Sequence, residues 1–168
     1  MDAPIGIDIE EKKRKTAKSI LSLARRYFTP SEVDYLAKLP DPDAQQKEFI
    51  KLWTLKEAYV KALGRGFSGA PFNKFSITLA ASKGIRISVA PKVLRDSNSS
   101  YDCLSENWQF ALAELNSSHY MAVCIEEDDS KSSDTRNGRL PLGLKVWKTI
   151  PFLEDTLVSG TEAVNLIS

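Results

Sequence analysis

Five residues have types and spacings that could do chemistry together: Asp8, Glu10, Lys56, Glu57 and Lys61. Asp8 and Glu10 sit in Ile5-Gly6-Ile7-Asp8-Ile9-Glu10, whose strict alternation is the signature of a half-buried strand. The isoleucines point to one face, and Gly6, Asp8 and Glu10 to the other. Residues two apart on a strand lie roughly 6–7 Å from each other at the backbone. A pair of acids in this arrangement is most often a solvated strand face, and it gains chemical meaning only if a third carboxylate comes near. Glu57 can be that third group. Three converging carboxylates repel one another unless a cation sits between them. A hard divalent ion, Mg²⁺ above all, suits oxygen ligands and usually shares its sphere with substrate phosphates. Lys56 and Lys61 would then flank the metal as phosphate ligands.

Glu57 and both lysines belong to the stretch from Phe49 to Leu63, which reads as one long helix beginning near Asp43. It has strong helix formers, no internal Pro or Gly, and Gly64-Arg65-Gly66 just past its end. At about 100° per residue, Phe49, Leu52, Trp53, Tyr59, Val60 and Leu63 form a single apolar stripe with Lys56 near its middle. A charge there is costly unless something pairs with it. Either the lysine lays its stem on apolar neighbours and lifts its ammonium into water, or it has an anionic partner.

The remaining elements must bring the strand and the helix together. Thr16 to Phe28 has helical spacing, with Arg25 and Arg26 near its end where cations suit the dipole. Ser31 is a credible N-cap for a second, short helix through Val33, Leu36 and Leu39, which Pro40-Asp41-Pro42-Asp43 breaks. After Gly66 the period changes. Phe75–Leu79, Ile85–Val89, Trp108–Glu114 and Tyr120–Ile125 read as strands, with Asn116-Ser117-Ser118-His119 as a turn. Residues 127–139 form a polar linker, and 140–168 a tail whose apolar residues must dock somewhere. The expectation is an α+β layer: one strand, three helices, then three or four antiparallel strands, with the long helix packed on the sheet.

Composition narrows the function classes. A chain of 168 residues fits one domain with a sizeable core. A net charge of +1 gives no global reason to expect nucleic acid or a membrane surface, so electrostatic recognition must be local. Cys103 and Cys124 are not spaced as a metal site, and no apolar run approaches membrane-spanning length, so the cytosol is the expected compartment. His119, the sole histidine, reads as a surface turn residue.

Gly6-Ile7-Asp8-Ile9-Glu10, followed by Phe49-x-x-x-Trp53-x-x-Lys56-Glu57-Ala58-x-x-Lys61, resembles the paired signature of the 4′-phosphopantetheinyl transferases. More narrowly it resembles the second half of the larger, surfactin-synthetase-activator or aminoadipate type, over roughly Ile5 to Glu126. The resemblance implies a fold, one half of that transferase, over residues 1–126. It also implies an activity: Mg²⁺-dependent transfer of the phosphopantetheine arm of coenzyme A to a serine of an apo acyl or peptidyl carrier protein. By the same resemblance Asp8, Glu10 and Glu57 would hold Mg²⁺. Lys56 and Lys61 would bind the pyrophosphate of coenzyme A, with Lys61 steadying the leaving group and Glu57 the candidate base. Lys12, Lys13, Lys15, Lys18, Arg25 and Arg26 offer a basic face to an acidic carrier, or an ordinary solvated one.

The larger transferases have two similar halves, and this sequence opens just before the second-half motif. The expectation is therefore a truncated form that pairs with a missing N-terminal half or with itself. A non-catalytic module that binds coenzyme A or carrier proteins is the alternative, though such a module has no need of three converging carboxylates. An unrelated Mg²⁺–nucleotide phosphatase is a weaker third reading, since no Gly-rich phosphate loop supports it.

Overall fold

The computed structural model describes residues 4–16, 18–80, 84–89, 107–126, 145–149, 155–158 and 160–168. Strand β1 (Ile5–Glu11) leads to helices α1 (Ile20–Tyr27), α2 (Pro30–Ala37), α3 (Pro42–Ala62) and the short α4 (Gly66–Gly69). Strands β2 (Phe75–Ala80), β3 (Gly84–Val89), β4 (Trp108–Leu115) and β5 (His119–Glu126) follow. The tail adds β6 (Trp147–Thr149), β7 (Asp155–Leu157) and β8 (Val164–Leu166). The main sheet is antiparallel in the order β1-β5-β4-β8, while β2 and β3 form their own hairpin ladder beside β4. This is the α+β layer the patterns predict.

Side-chain caps set the helix starts. Ser19 accepts from the Ser22 amide, so α1 begins at Ile20 and not near Thr16. Thr29, not Ser31, caps α2. Pro30 suits the first helical position, and Glu32 reaches back to the Thr29 amide to close a capping box. Asp41 caps α3 by accepting from the Ala44 amide. His119 is the first residue of β5, and the turn before it is Asn116–Ser118, with Asn116 and Ser117 at φ 46° and 57°.

α3 is buried on more than the one predicted stripe. Leu55, Ala58 and Ala62 are buried as well, and the helix lies across β1 and β5. The reason is close approach. A Cβ built on Gly6 would collide with the Ala58 carbonyl oxygen and the Ala62 amide nitrogen, so β1 crosses α3 at backbone distance. This contact also decides which face of β1 turns inward. The alternation is real, but Gly6 and Asp8 are buried, while Ile5, Ile7 and Ile9 are 58%, 48% and 50% exposed. Among the described residues β1 is thus an edge strand with an exposed apolar face.

Farther along that outer face, Ala111, Ala113, Met121 and Val123 are buried, packed by Val146 and Val164. β8 extends the sheet by pairing with β4 through Leu115↔Val164 and Ala113↔Leu166. Among the described residues of the tail, Val146 and β8 therefore pack on the sheet, while Trp147 is exposed. The predicted linker 127–139 and Cys103 lie outside the described residues.

Candidate active site

Gly6 seats β1 on α3, and two residues on Asp8 faces the last turns of that helix. Lys61 Nζ donates to Asp8 Oδ1 at 2.7 Å. The other oxygen, Asp8 Oδ2, is buried and has no partner among the described residues. Glu57, one turn before Lys61, has its carboxyl pushed above the usual carboxylate range. Burial is the largest cause and the charge of Asp8 the next; Glu10 adds to the rise, while Lys61 and Arg14 oppose it. The charges of Asp8 and Glu10 thus both reach Glu57. Glu10 is meanwhile engaged by Arg14, whose Nη1 donates to Oε1 at 3.0 Å and to Oε2 at 2.9 Å. Among the described residues no three acidic, histidine or cysteine side chains are gathered tightly enough to hold one ion together. In this arrangement cationic side chains stand where a metal would compensate the charge. A buried orphan carboxylate oxygen beside a glutamate raised by burial and by neighbouring acids is nonetheless an oxygen donor set of the kind that fits a hard divalent ion.

Lys56 does not join this group. It is 0% exposed, and its Nζ lies 3.0 Å from Glu32 Oε2, a residue only 4% exposed. It also donates to the carbonyls of Phe72 at 2.7 Å and Phe75 at 2.5 Å. The rings of Phe28, Phe72 and Phe75 surround it at 5.5, 5.8 and 4.3 Å. Burial pushes its pKa down to about 8, against the pull of Glu32. In this structure the ammonium is therefore held by three oxygen partners inside the protein, with no solvent exposure. Adjacent helix positions are about 100° apart, so Glu57 and Lys56 face different neighbours. Lys61, by contrast, is half-exposed beside Asp8.

Two residues escape the motif reading. Glu32 closes the capping box of α2, and its Oε1 also accepts from the Ile77 amide at 2.8 Å, so it ties α2 to β2 as well as to Lys56. The lysine stranded on the apolar stripe was the available signal that a buried acid must exist. Arg14 belongs to none of the motifs read from the sequence. In the structure it lines a cavity of about 300 Å³ with Lys15, Tyr27, Phe49 and Trp53. Of the basic face, Lys12 is tied to Glu114 at 2.6 Å, while Lys13, Lys15, Lys18, Arg25 and Arg26 are exposed.

The family profile of the 4′-phosphopantetheinyl transferase superfamily matches residues 4–124. The chain belongs to that superfamily. It is 36% identical to the transferase Sfp of Bacillus subtilis over 127 residues, which cover 75% of this chain and 48% of Sfp. It is 27% identical to the L-aminoadipate-semialdehyde dehydrogenase-phosphopantetheinyl transferase of Xenopus laevis, over 76% of this chain and 42% of that one. The match to this enzyme fits the larger type. The chain spans about half the length of these two relatives. Among solved structures, the holo-(acyl-carrier-protein) synthase of Bacillus anthracis, in complex with CoA (3′,5′-ADP), has the same fold. It matches at a TM-score of 0.54 and 20% identity, covering 74% of this chain and 96% of that one. The Thermotoga maritima synthase matches at 0.53 and 19%, over 76% of this chain and 66% of that one. Among the described residues no helix is long and apolar enough to cross a membrane.

Proposed function

We propose that this chain carries the metal and pyrophosphate side of a 4′-phosphopantetheinyl transferase site, and that with its complement it transfers the phosphopantetheine arm of coenzyme A to a carrier-protein serine. The observation that carries the reading is the ion pair of Asp8 with the half-exposed Lys61, which leaves one Asp8 oxygen buried without a partner and its charge acting on Glu57. In the reaction the serine Oγ bonds to the phosphorus of the arm, the pyrophosphate P–O bond breaks, and adenosine 3′,5′-bisphosphate leaves. Transfer at phosphorus needs positioning and charge neutralisation more than covalent chemistry.

Asp8, Glu10 and Glu57 are the residues that would hold Mg²⁺, which when bound neutralises phosphate charge. Lys61 pairs with Asp8 and has the exposure to turn toward a phosphate oxygen. Glu57 has a raised proton affinity, which suits a group that takes the serine proton. Lys56 is read as a brace that fixes α3 against Phe72 and Phe75. The exposed basic residues of α1 and the turn before it would steer an acidic carrier.

The exposed Ile5, Ile7 and Ile9 are the face we infer to be covered in the active assembly, by the other half of a longer enzyme or by a second copy. Sedimentation of the parent chain against Ile7→Thr tests self-association there; identical profiles would count against a second copy. The compartment this function implies is the cytosol.

Incubation with coenzyme A, Mg²⁺ and an apo carrier protein, read by mass spectrometry for the added arm, tests the function. Glu57→Gln and Lys61→Ala should abolish the mass gain. A gain that survives both substitutions would sink their assigned roles. Coenzyme A bound without transfer would favour a binding module.

A further inference from the structure

We propose that Arg14 is the exchangeable counter-ion of Glu10: it occupies this carboxylate in the metal-free chain, and a divalent cation must displace it before Glu10 can serve as a ligand. The inference rests on the reading of Asp8, Glu10 and Glu57 as a metal site. A single nitrogen, Arg14 Nη1, engages both oxygens of Glu10, at 3.0 and 2.9 Å. A hard cation seeking the seat between the two oxygens meets the guanidinium already there.

The pair is built so that the arginine is the partner that leaves. Its side chain is 53% exposed against 17% for Glu10, so the guanidinium regains water when it lets go. Its backbone is held separately. The Arg14 amide donates to the Glu11 carbonyl at 3.2 Å, and Gln46 Nε2 donates to the carbonyls of Lys12 and Arg14 at 3.1 and 3.3 Å. The side chain can therefore swing while the turn stays in place. It also has somewhere to go, because Arg14 lines the cavity of about 300 Å³ whose wall includes Tyr27, Phe49 and Trp53. Guanidinium planes stack on such rings. Lys61 stands in the same relation to Asp8, but it has a phosphate role of its own, whereas Arg14 has none in the family signature quoted above.

Mn²⁺ titrated into the full chain, followed by the electron paramagnetic resonance signal of the free ion, tests the exchange without any turnover. Removing a partly exposed competing ion pair should tighten Mn²⁺ binding about three- to fivefold in Arg14→Ala and in Arg14→Gln. Lys15→Ala removes the same charge one residue away, and should change the affinity less than twofold. Far-UV circular dichroism of each variant should match the parent. Affinity unchanged or weakened in the Arg14 variants overturns the proposal, as does equal tightening in Lys15→Ala, which would reduce it to a general charge effect. If Mn²⁺ binds the parent and Glu10→Gln weakens it while the Arg14 variants do not respond, the metal site stands and only the exchange fails. If the parent binds no Mn²⁺, the metal reading fails and takes the exchange with it.

Discussion

Lys56 Nζ and Glu32 Oε2 stand 3.0 Å apart, and both side chains are buried. Around this contact α2, α3, the turn at Phe72–Lys74 and the start of β2 are joined. The lysine bonds the carbonyls of Phe72 and Phe75, and the glutamate bonds the amides of Thr29 and Ile77. The family's Lys-Glu pair on α3 thus divides its labour in this chain. Glu57 faces the acidic strand, and Lys56 anchors the helix that presents it.

Lys56→Met should cost about 3–5 kcal/mol, because it leaves the Glu32 carboxylate buried and uncompensated. Lys56→Met with Glu32→Gln should recover much of that loss. Urea unfolding midpoints of the three chains read the comparison. A stable Lys56→Met that has lost only coenzyme A affinity would return Lys56 to the phosphate.

The same lysine gives a pH signature. Its folded pKa of about 8 lies below its ordinary 10.5, so between those values the unfolded chain binds more protons than the folded one. Stability should therefore rise with pH across that window through this group. At neutral pH the lysine is charged in both states and contributes no slope. Unfolding free energies of the parent and of Lys56→Met/Glu32→Gln, measured from pH 7 to 10.5, should diverge above about pH 8. Parallel curves would contradict the burial.

Gly6→Ala drives a methyl into the Ala58 carbonyl and the Ala62 amide, backbone atoms that cannot step aside as a flexible side chain can. Overpacking of this kind costs about 1–3 kcal/mol or somewhat more. It should also separate Asp8 from Lys61, so transferase activity measured on the folded fraction should fall along with stability. Undiminished activity per folded molecule would mean that β1 is not what positions Asp8.

Glu57 carries the opposite linkage to Lys56. A carboxyl whose folded pKa is raised stabilises the fold below its ordinary range, and that contribution is lost as pH rises through the raised value. At neutral pH the ionised group is unfavourable, so Glu57→Gln should stabilise the metal-free chain by a few tenths of a kcal/mol, the half-exposed site being screened. Mg²⁺ should raise the melting temperature of the parent through binding to the native state, and raise that of Glu57→Gln less. Calorimetry with and without Mg²⁺ gives both comparisons; an equal Mg²⁺ shift in the two chains would remove Glu57 from the ligand set.

Much of the fold was legible because it is local. Alternation located β2 to β5 to within a residue or so, and the 3.6 period with Asp41, Pro42 and the glycines after Leu63 located α3. The acids at Asp8 and Glu10 and the Lys-Glu-Ala run were enough to imply the family. The cap of α2 was misread by two residues because Thr29 and Ser31 are both good caps, and only the position of Pro30 distinguishes them. β8 was not legible. Its three residues acquire strand character by pairing with the edge of β4.

By itself the sequence determined that β1 has two unlike faces and that Lys56 sits on a buried stripe needing an anion. Periodicity carries that much, because it depends only on the geometry of one element. Only the tertiary structure decided which face of β1 is inside and which acid answers the lysine. The missing side chain of Gly6 lets the strand rest on α3, which turns Asp8 inward toward Lys61 and Glu57 and leaves three isoleucines outside. The docking of α2 brings Glu32 to Lys56, a pairing between elements that no spacing along the chain encodes.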